Sequence, residues 1–193
     1  MSRYEKALAA IDEAHALDPN KVSIDGAEAP YELHYAEQCT RFLDSRLPDA
    51  SETLKIAIRA QHFRRWETPR SAYPMTRPGY FSWRINAKKR QAELVEQICL
   101  EAGYSAEEAA RVAALIRKED LKVDAETQAL EDVACLVFLE DQFAEFANSY
   151  DEAKILGVLR KTWGKMSEKG REMALQIEMK GKEKNLIEKA LNG

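Results

Sequence analysis

The residues with the most chemical content lie between His62 and Arg90, in the run HFRRWETPRSAYPMTRPGYFSWRINAKKR. It holds eight basic residues against one acid, Glu67, so it carries +7 in a chain of net charge −4 and leaves −11 for the remainder. Guanidinium groups grip phosphate oxygens through paired donors, and aromatic faces stack a base or another guanidinium. Arg64, Arg65, Arg70, Arg77 and Arg84 are therefore candidate anion ligands, with Trp66 and Tyr80 as stacking partners. The competing reading ties the same arginines to the acidic remainder and uses the aromatics as core. Lys88, Lys89 and Arg90 read as a solvated helix face.

The chain has three histidines. His15, on an amphipathic first helix, reads as structural or solvent-facing. His34 and His62 each sit on a helix expected to be central, and acids follow downstream: Glu119 and Asp120, then Glu131 and Asp132. Imidazoles and carboxylates converging on one point suit a metal ion or acid–base work. Asp132, beside the apolar LVFL, is costly to bury without a cation, a metal or a cap. A salt bridge from Asp132 or Glu131 to an arginine of the basic run is the alternative.

These residues need a scaffold, and the periodicity supplies a helical one. Apolar positions recur near every 3.6 residues with no convincing alternation, so the expected class is all-α. The first helix spans about Arg3 to Leu17 and stops at Asp18-Pro19-Asn20; Ile24-Asp25-Gly26 adds a turn. A second helix starts at Pro30 and ends before Pro48. A third starts near Asp49 or Ser51 and delivers His62 at its C-terminal end. Pro69, Pro74, Pro78 and Gly79 forbid one continuous helix across the basic run, which becomes a long loop. A fourth helix follows Pro78-Gly79 and runs to Gly103, and Ser105 with Glu108 boxes the start of a fifth. The sixth, LEDVACLVFLEDQFAEF, is capped by Asp124 or Thr127 and is the most apolar. From Asp151 shorter helices break at Gly164, Gly170 and Gly181.

At 193 residues the chain reads as a single domain, with a core at about 30–147 and C-terminal helices at about 151–193. No apolar run approaches the roughly 18 residues that cross a bilayer, and the N-terminus lacks the apolar centre of a signal peptide, so no membrane partner and a cytoplasmic location are expected. Cys39, Cys99 and Cys135, odd in number and set among apolar neighbours, read as reduced core residues.

The order of these features resembles the HD-domain phosphohydrolases across about residues 30–145. His34, then LKIAIRAQH ending in His62, then LIRKEDLKVDAETQALEDVACLVFL follow the layout in which two histidine-bearing helices and a later aspartate hold a divalent metal. The resemblance implies an HD-like helical bundle with Mn, Fe or Zn bound by His34, His62 and Asp132. Phe63 stands where that family has an aspartate after the histidine. The family's late aspartate aligns nearer Ala134 than Asp132, and Lys118 to Asp120 stand where some members place another histidine.

A closer resemblance runs through QHFRRWETPRSAYPMTRPGYFSWR, LEDVACLVFLEDQFAEF and KTWGKMSEKGREMAL. Together they are similar to the uncharacterised family known as domain of unknown function 4202, over nearly the whole chain; it implies no reaction. Some members carry a glutamyl-tRNA synthetase label. Here only Lys165-Met166-Ser167 echoes the KMSKS loop of those synthetases, without a HIGH motif or a parallel-sheet pattern. Ser167 reads as a helix cap and Lys165 as solvent-exposed.

The functional expectation is a protein that binds a nucleotide or another small phosphorylated metabolite. The metal would activate water for hydrolysis, the arginines would orient the phosphate, and Glu67 or Asp120 would serve as general base or acid. The alternative is a metal-free binding or regulatory module whose basic loop docks an acidic or nucleic-acid partner. A pI of 5.6 favours a small ligand over RNA.

Overall fold

The computed structural model describes residues 1–192, and among them it shows ten α-helices and one two-stranded sheet. The fold is an all-α bundle, as the periodicity predicts. Helix α1 (Arg3–His15) opens with a Ser2–Glu5 capping box. The next segment departs from expectation. Strands β1 (Lys21–Ile24) and β2 (Ala27–Pro30) pair antiparallel around Asp25 and Gly26, whose φ values of 50° and 84° form a tight two-residue hairpin turn. An Asp-Gly dipeptide suits that turn because both positions need positive φ.

Helices α2 (Tyr31–Arg46), α3 (Glu52–Arg59), α5 (Ala106–Arg117) and α6 (Ala125–Val137) pack on one another, and α4 (Arg77–Ala102) lies along α5 and α1. Helix α3 buries Leu54, Ile56, Ala57 and Ile58 completely, which makes it central. It ends at Arg59, three residues earlier than expected, so His62 stands on the following turn. The basic loop is partly ordered as 3₁₀ turns at Arg65–Glu67 and Arg70–Ala72. Helix α4 begins at Arg77, before the proline–glycine pair, with Thr76 as cap and Pro78 in its first turn.

Helix α6 passes into a π-helical turn (Phe138–Gln142) and then α7 (Phe143–Ser149). Helices α8 (Glu152–Lys165), α9 (Glu168–Ala174) and α10 (Gly181–Asn192) complete the fold, with α10 on α8 and α9 on α6. All three cysteines are free and buried, as expected. No helix among the described residues is long and apolar enough to cross a membrane.

Candidate functional site

The chain turns sharply after α3. His62 and Arg64 both take left-handed backbone conformations, at φ 63° and 50°. Residues with a Cβ adopt that region at a cost of about 1–2 kcal/mol, so surrounding contacts must hold them there. The His62 ring stacks on Tyr35 with centroids 4.3 Å apart, and its Nε2 lies 2.8 Å from Arg65 Nη1. A guanidinium only donates, so Nε2 must offer its lone pair and the ring is neutral. Burial, then the Arg65 and Lys118 charges, holds the His62 pKa well below its usual value.

Arg65 is fixed from three sides. Its backbone N–H donates to Glu32 Oε1 at 2.8 Å, its guanidinium lies 4.6 Å from the Trp83 ring centroid, and Nη1 meets His62. Glu32 is buried against His15, whose Nε2 donates to the Arg59 carbonyl at 2.9 Å. His15 is therefore structural and not solvent-facing: fully buried, it braces the acid that braces the loop. Trp83 in turn donates from Nε1 to the Thr68 carbonyl at 2.8 Å.

Beside this corner lies a cavity of about 300 Å³. One stripe of α4 (Tyr80, Arg84, Lys88 and Gln91) lines it at the spacing of successive helical turns. Across from that stripe stand Lys118 at the end of α5, Glu131 on α6 and Lys165 at the end of α8, while the π-helical turn presents Phe138 and Gln142. Lys118 is also left-handed, at φ 58°, in the position where a helix normally ends on glycine. Glu131 pairs with Lys118, and its Oε1 lies 3.4 Å from Lys165 Nζ. Burial pushes the Glu131 carboxyl up, but the Lys118 and Lys165 charges outweigh it and bring its pKa down to about 2.

Five cations (Arg65, Arg84, Lys88, Lys118 and Lys165) thus face one carboxylate. Among the described residues, Arg65, Arg84 and Lys88 form no ion pair; Arg84 donates only to the Tyr80 hydroxyl, at 3.3 Å, and Lys88 has no hydrogen-bond partner. Burial, then Lys118 and Arg84, lowers the Lys88 pKa to about 8. Gln61, 6% exposed, lines the same cavity with its Nε2 buried and without a partner.

Of the residues singled out in the sequence, Arg65, Tyr80, Arg84, His62 and Glu131 line the cavity. Trp66 and Arg70 face an adjoining cavity of about 360 Å³ that shares the His62–Arg65–Trp83 wall. Arg70 is spent on the loop itself, donating to the carbonyls of Tyr73 (3.0 Å), Pro74 (2.8 Å) and Thr76 (3.3 Å). Arg64 pairs with Glu67 at 2.6 Å and Arg90 joins the same acid, while Arg77 is exposed beside Phe81. Glu67 and Asp120 are exposed and line neither cavity; Asp120 sits in the turn after α5 at φ 53°.

The remaining candidates are dispersed. His34 Nε2 lies 3.2 Å from Asp141. Asp132, fully buried, accepts from Arg46 on α2 (2.7 Å), the Ser167 backbone N–H (2.8 Å) and Gln128 (2.9 Å). Its partner is thus not an arginine of the basic run, and neither are the partners of Glu131. Among the described residues no group of three or more His, Cys, Asp or Glu side chains gathers as a metal requires. With His62 Nε2 facing a guanidinium and Asp132 saturated, this donor set does not fit a divalent ion.

Sequence reasoning passed over Lys88, Lys118, Lys165 and Gln61. Lys88 was grouped with a solvated face, and only drawing the helical stripe from Tyr80 separates it from Lys89. Lys165 reaches the cavity from the Lys165-Met166-Ser167 string, while Ser167 caps α9 as expected. No curated protein and no solved structure matches the chain. The model of the family described as Domain of unknown function (DUF4202) matches residues 5–187, and the chain belongs to that family.

Proposed function

We propose that the cavity between α4, α6 and the end of α8 binds a small phosphorylated compound. The observation that supports this reading is the excess of charge: five cations against one carboxylate around a shared space, three of them without an acidic partner, in a chain of net charge −4. Like charges held together in a partly buried site repel, and an anion between them relieves the repulsion while gaining charge-assisted hydrogen bonds. A volume of about 300 Å³ is at the small end of ligand sites. It suits a phosphate ester or a nucleotide fragment better than a polymer. Docking an acidic or nucleic-acid partner through the outer loop is less favoured, because Arg64, Arg70 and Arg90 are already bonded within the protein.

Calorimetry and thermal shift with inorganic pyrophosphate and with nucleoside mono-, di- and triphosphates test this. A ligand at a hundred times its Kd should stabilise by about 2.7 kcal/mol. Arg84→Gln and Lys88→Met should each weaken binding about tenfold or more, the worth of one charged hydrogen bond. Arg77→Gln, outside the cavity, should change nothing. Absence of binding by every anion at low salt, or an equal loss in Arg77→Gln, rejects the reading. Release of inorganic phosphate in the same samples would extend it to hydrolysis.

A further inference from the structure

The cavity contains three kinds of cation. Lys118 and Lys165 share the single carboxylate of Glu131, and Arg65 and Arg84 are guanidiniums that stay charged at any physiological pH. Lys88 is different. It is a half-buried amine on the inward stripe of α4, with no hydrogen bond or ion pair among the described residues. The groups around it are Arg84 on its own helix, Lys118 from the end of α5, Glu131 from α6 and Lys165 from the end of α8. Three of those four are cations. An amine so placed loses its proton readily, and only the neutral form has a lone pair to share.

From this geometry we infer that Lys88 is a nucleophile, and that the compound bound here is a phosphorylated aldehyde or ketone whose carbonyl carbon Lys88 attacks. The inference rests on the anion-binding reading above and adds the reacting group. Arg65 and Arg84 hold the phosphate, which places the other end of a short molecule against the Lys88 amine. The Nζ lone pair forms the N–C bond while the carbonyl π pair moves onto oxygen. Transfer of a proton from nitrogen to oxygen gives the carbinolamine. A second proton then lets that oxygen leave as water while the nitrogen lone pair closes the C=N bond, and the protonated imine returns its N–H proton to the amine that supplied the second one. One amine and one carbonyl become one imine and one water, with no change of oxidation state. The ammonium groups of Lys118 and Lys165, held on Glu131, are the acids available to the departing oxygen, and Glu131 carries the compensating charge. The unpartnered Gln61 amide is a donor at hand for a hydroxyl or carbonyl of the same molecule.

A lowered amine pKa follows from the same surroundings: burial and the neighbouring cations bring Lys88 to about 8, so a tenth or so of it is neutral at pH 7. Exposed Lys89, next in sequence, provides an internal control.

The probe is pyridoxal phosphate, a phosphorylated aldehyde, used below stoichiometry on the intact protein, reduced with borohydride and mapped by peptide mass spectrometry. Lys88 should be the principal labelled lysine, at least tenfold ahead of Lys89, with a rate that rises through a midpoint near pH 8. Inorganic pyrophosphate should protect it, and pyridoxal, which lacks the phosphate, should label it at least tenfold more slowly. Label spread equally over exposed lysines overturns the inference. Pyrophosphate that binds by calorimetry while Lys88 stays unlabelled overturns the nucleophile and leaves the anion site standing. Labelling of Lys88 equally by pyridoxal, without protection by pyrophosphate, overturns the phosphorylated substrate class together with the anion-binding reading.

Discussion

Glu131→Gln removes the single negative charge from the cavity without changing its shape. Glu131 is 5% exposed and paired with Lys118 and Lys165. Held at about 2 instead of its usual 4.5, the carboxyl contributes about 3 kcal/mol to folding at neutral pH, each tenfold change in proton affinity being worth about 1.4 kcal/mol. The sign follows from the direction. A carboxyl with lowered folded pKa stabilises above its unfolded value and loses that contribution as pH falls toward the folded one. The wild type should therefore exceed the variant by about 3 kcal/mol at pH 7, by nearly as much at pH 5, and by about half as much near pH 3. Urea denaturation across that range measures the gap directly. In the variant five cations stand without an acid, so pyrophosphate should stabilise it more than it stabilises the wild type. A gap below about 1 kcal/mol at pH 7, or one that does not narrow between pH 5 and pH 3, refutes the ion-pair account.

Gly79→Ala would bring a Cβ to 2.1 Å from the Pro74 carbonyl oxygen; forcing the loop off α4 should cost about 1–3 kcal/mol in a urea melt and speed proteolysis around residues 70–76. Arg46→Ala strands the fully buried Asp132 carboxylate and should cost about 3–5 kcal/mol, whereas Arg46→Met with Asp132→Asn should recover much of that loss. Lys118→Gly relieves a left-handed backbone worth about 1 kcal/mol but removes the ammonium nearest Glu131, so denaturant melts should show net loss. Asp120→Gly, at a similar φ but exposed and away from the cavity, should be neutral or slightly stabilising in the same assay.

The helical class and most helix starts were legible because they depend on neighbours in sequence. Ser51, Ser105, Asp124 and Ser167 all cap as their side chains predict. The hairpin escaped because β1 and β2 have four residues each, too few for alternation to stand out; only Asp25-Gly26 signalled it. The site was half legible. A dense run of arginines marks a place where charge matters, but a helix turns 100° per residue, so a small error in where α3 ends redirects His62 entirely. That error moved His62 from a helix beside His34 to a turn under Arg65. Lys118 and Lys165 come from chain segments far from the basic run, and no local pattern announces that they converge. The one local oddity was a lysine ending α5 in a position that glycine usually takes.

Where a chain follows its local rules and where it breaks them are separate observations, and at the cavity several breaks of different kinds meet. Outside the cavity, many polar groups are satisfied with redundancy: Asp132 has partners on both oxygens, and Arg111 bridges Asp124 and Glu126, although Thr127 Oγ1 is buried without a partner and Asp25, Arg64 and Asp120 are left-handed. At the cavity, His62 and Lys118 hold strained backbone, Gln61 keeps a buried amide without a partner, and three cations go without acids. Each of these costs folding free energy, only part of which local contacts such as the His62–Tyr35 stack offset. A carboxylate at Gln91 or Ile116 would quench the charge, since both line the same space, yet those positions hold a neutral amide and an alkyl chain. Free energy stored around a concave space is released by whatever completes it. Under the proposed reading, a bound anion would neutralise Arg65, Arg84 and Lys88 together and an acceptor beside Gln61 would satisfy the orphaned donor, so the features that cost folding free energy would become affinity.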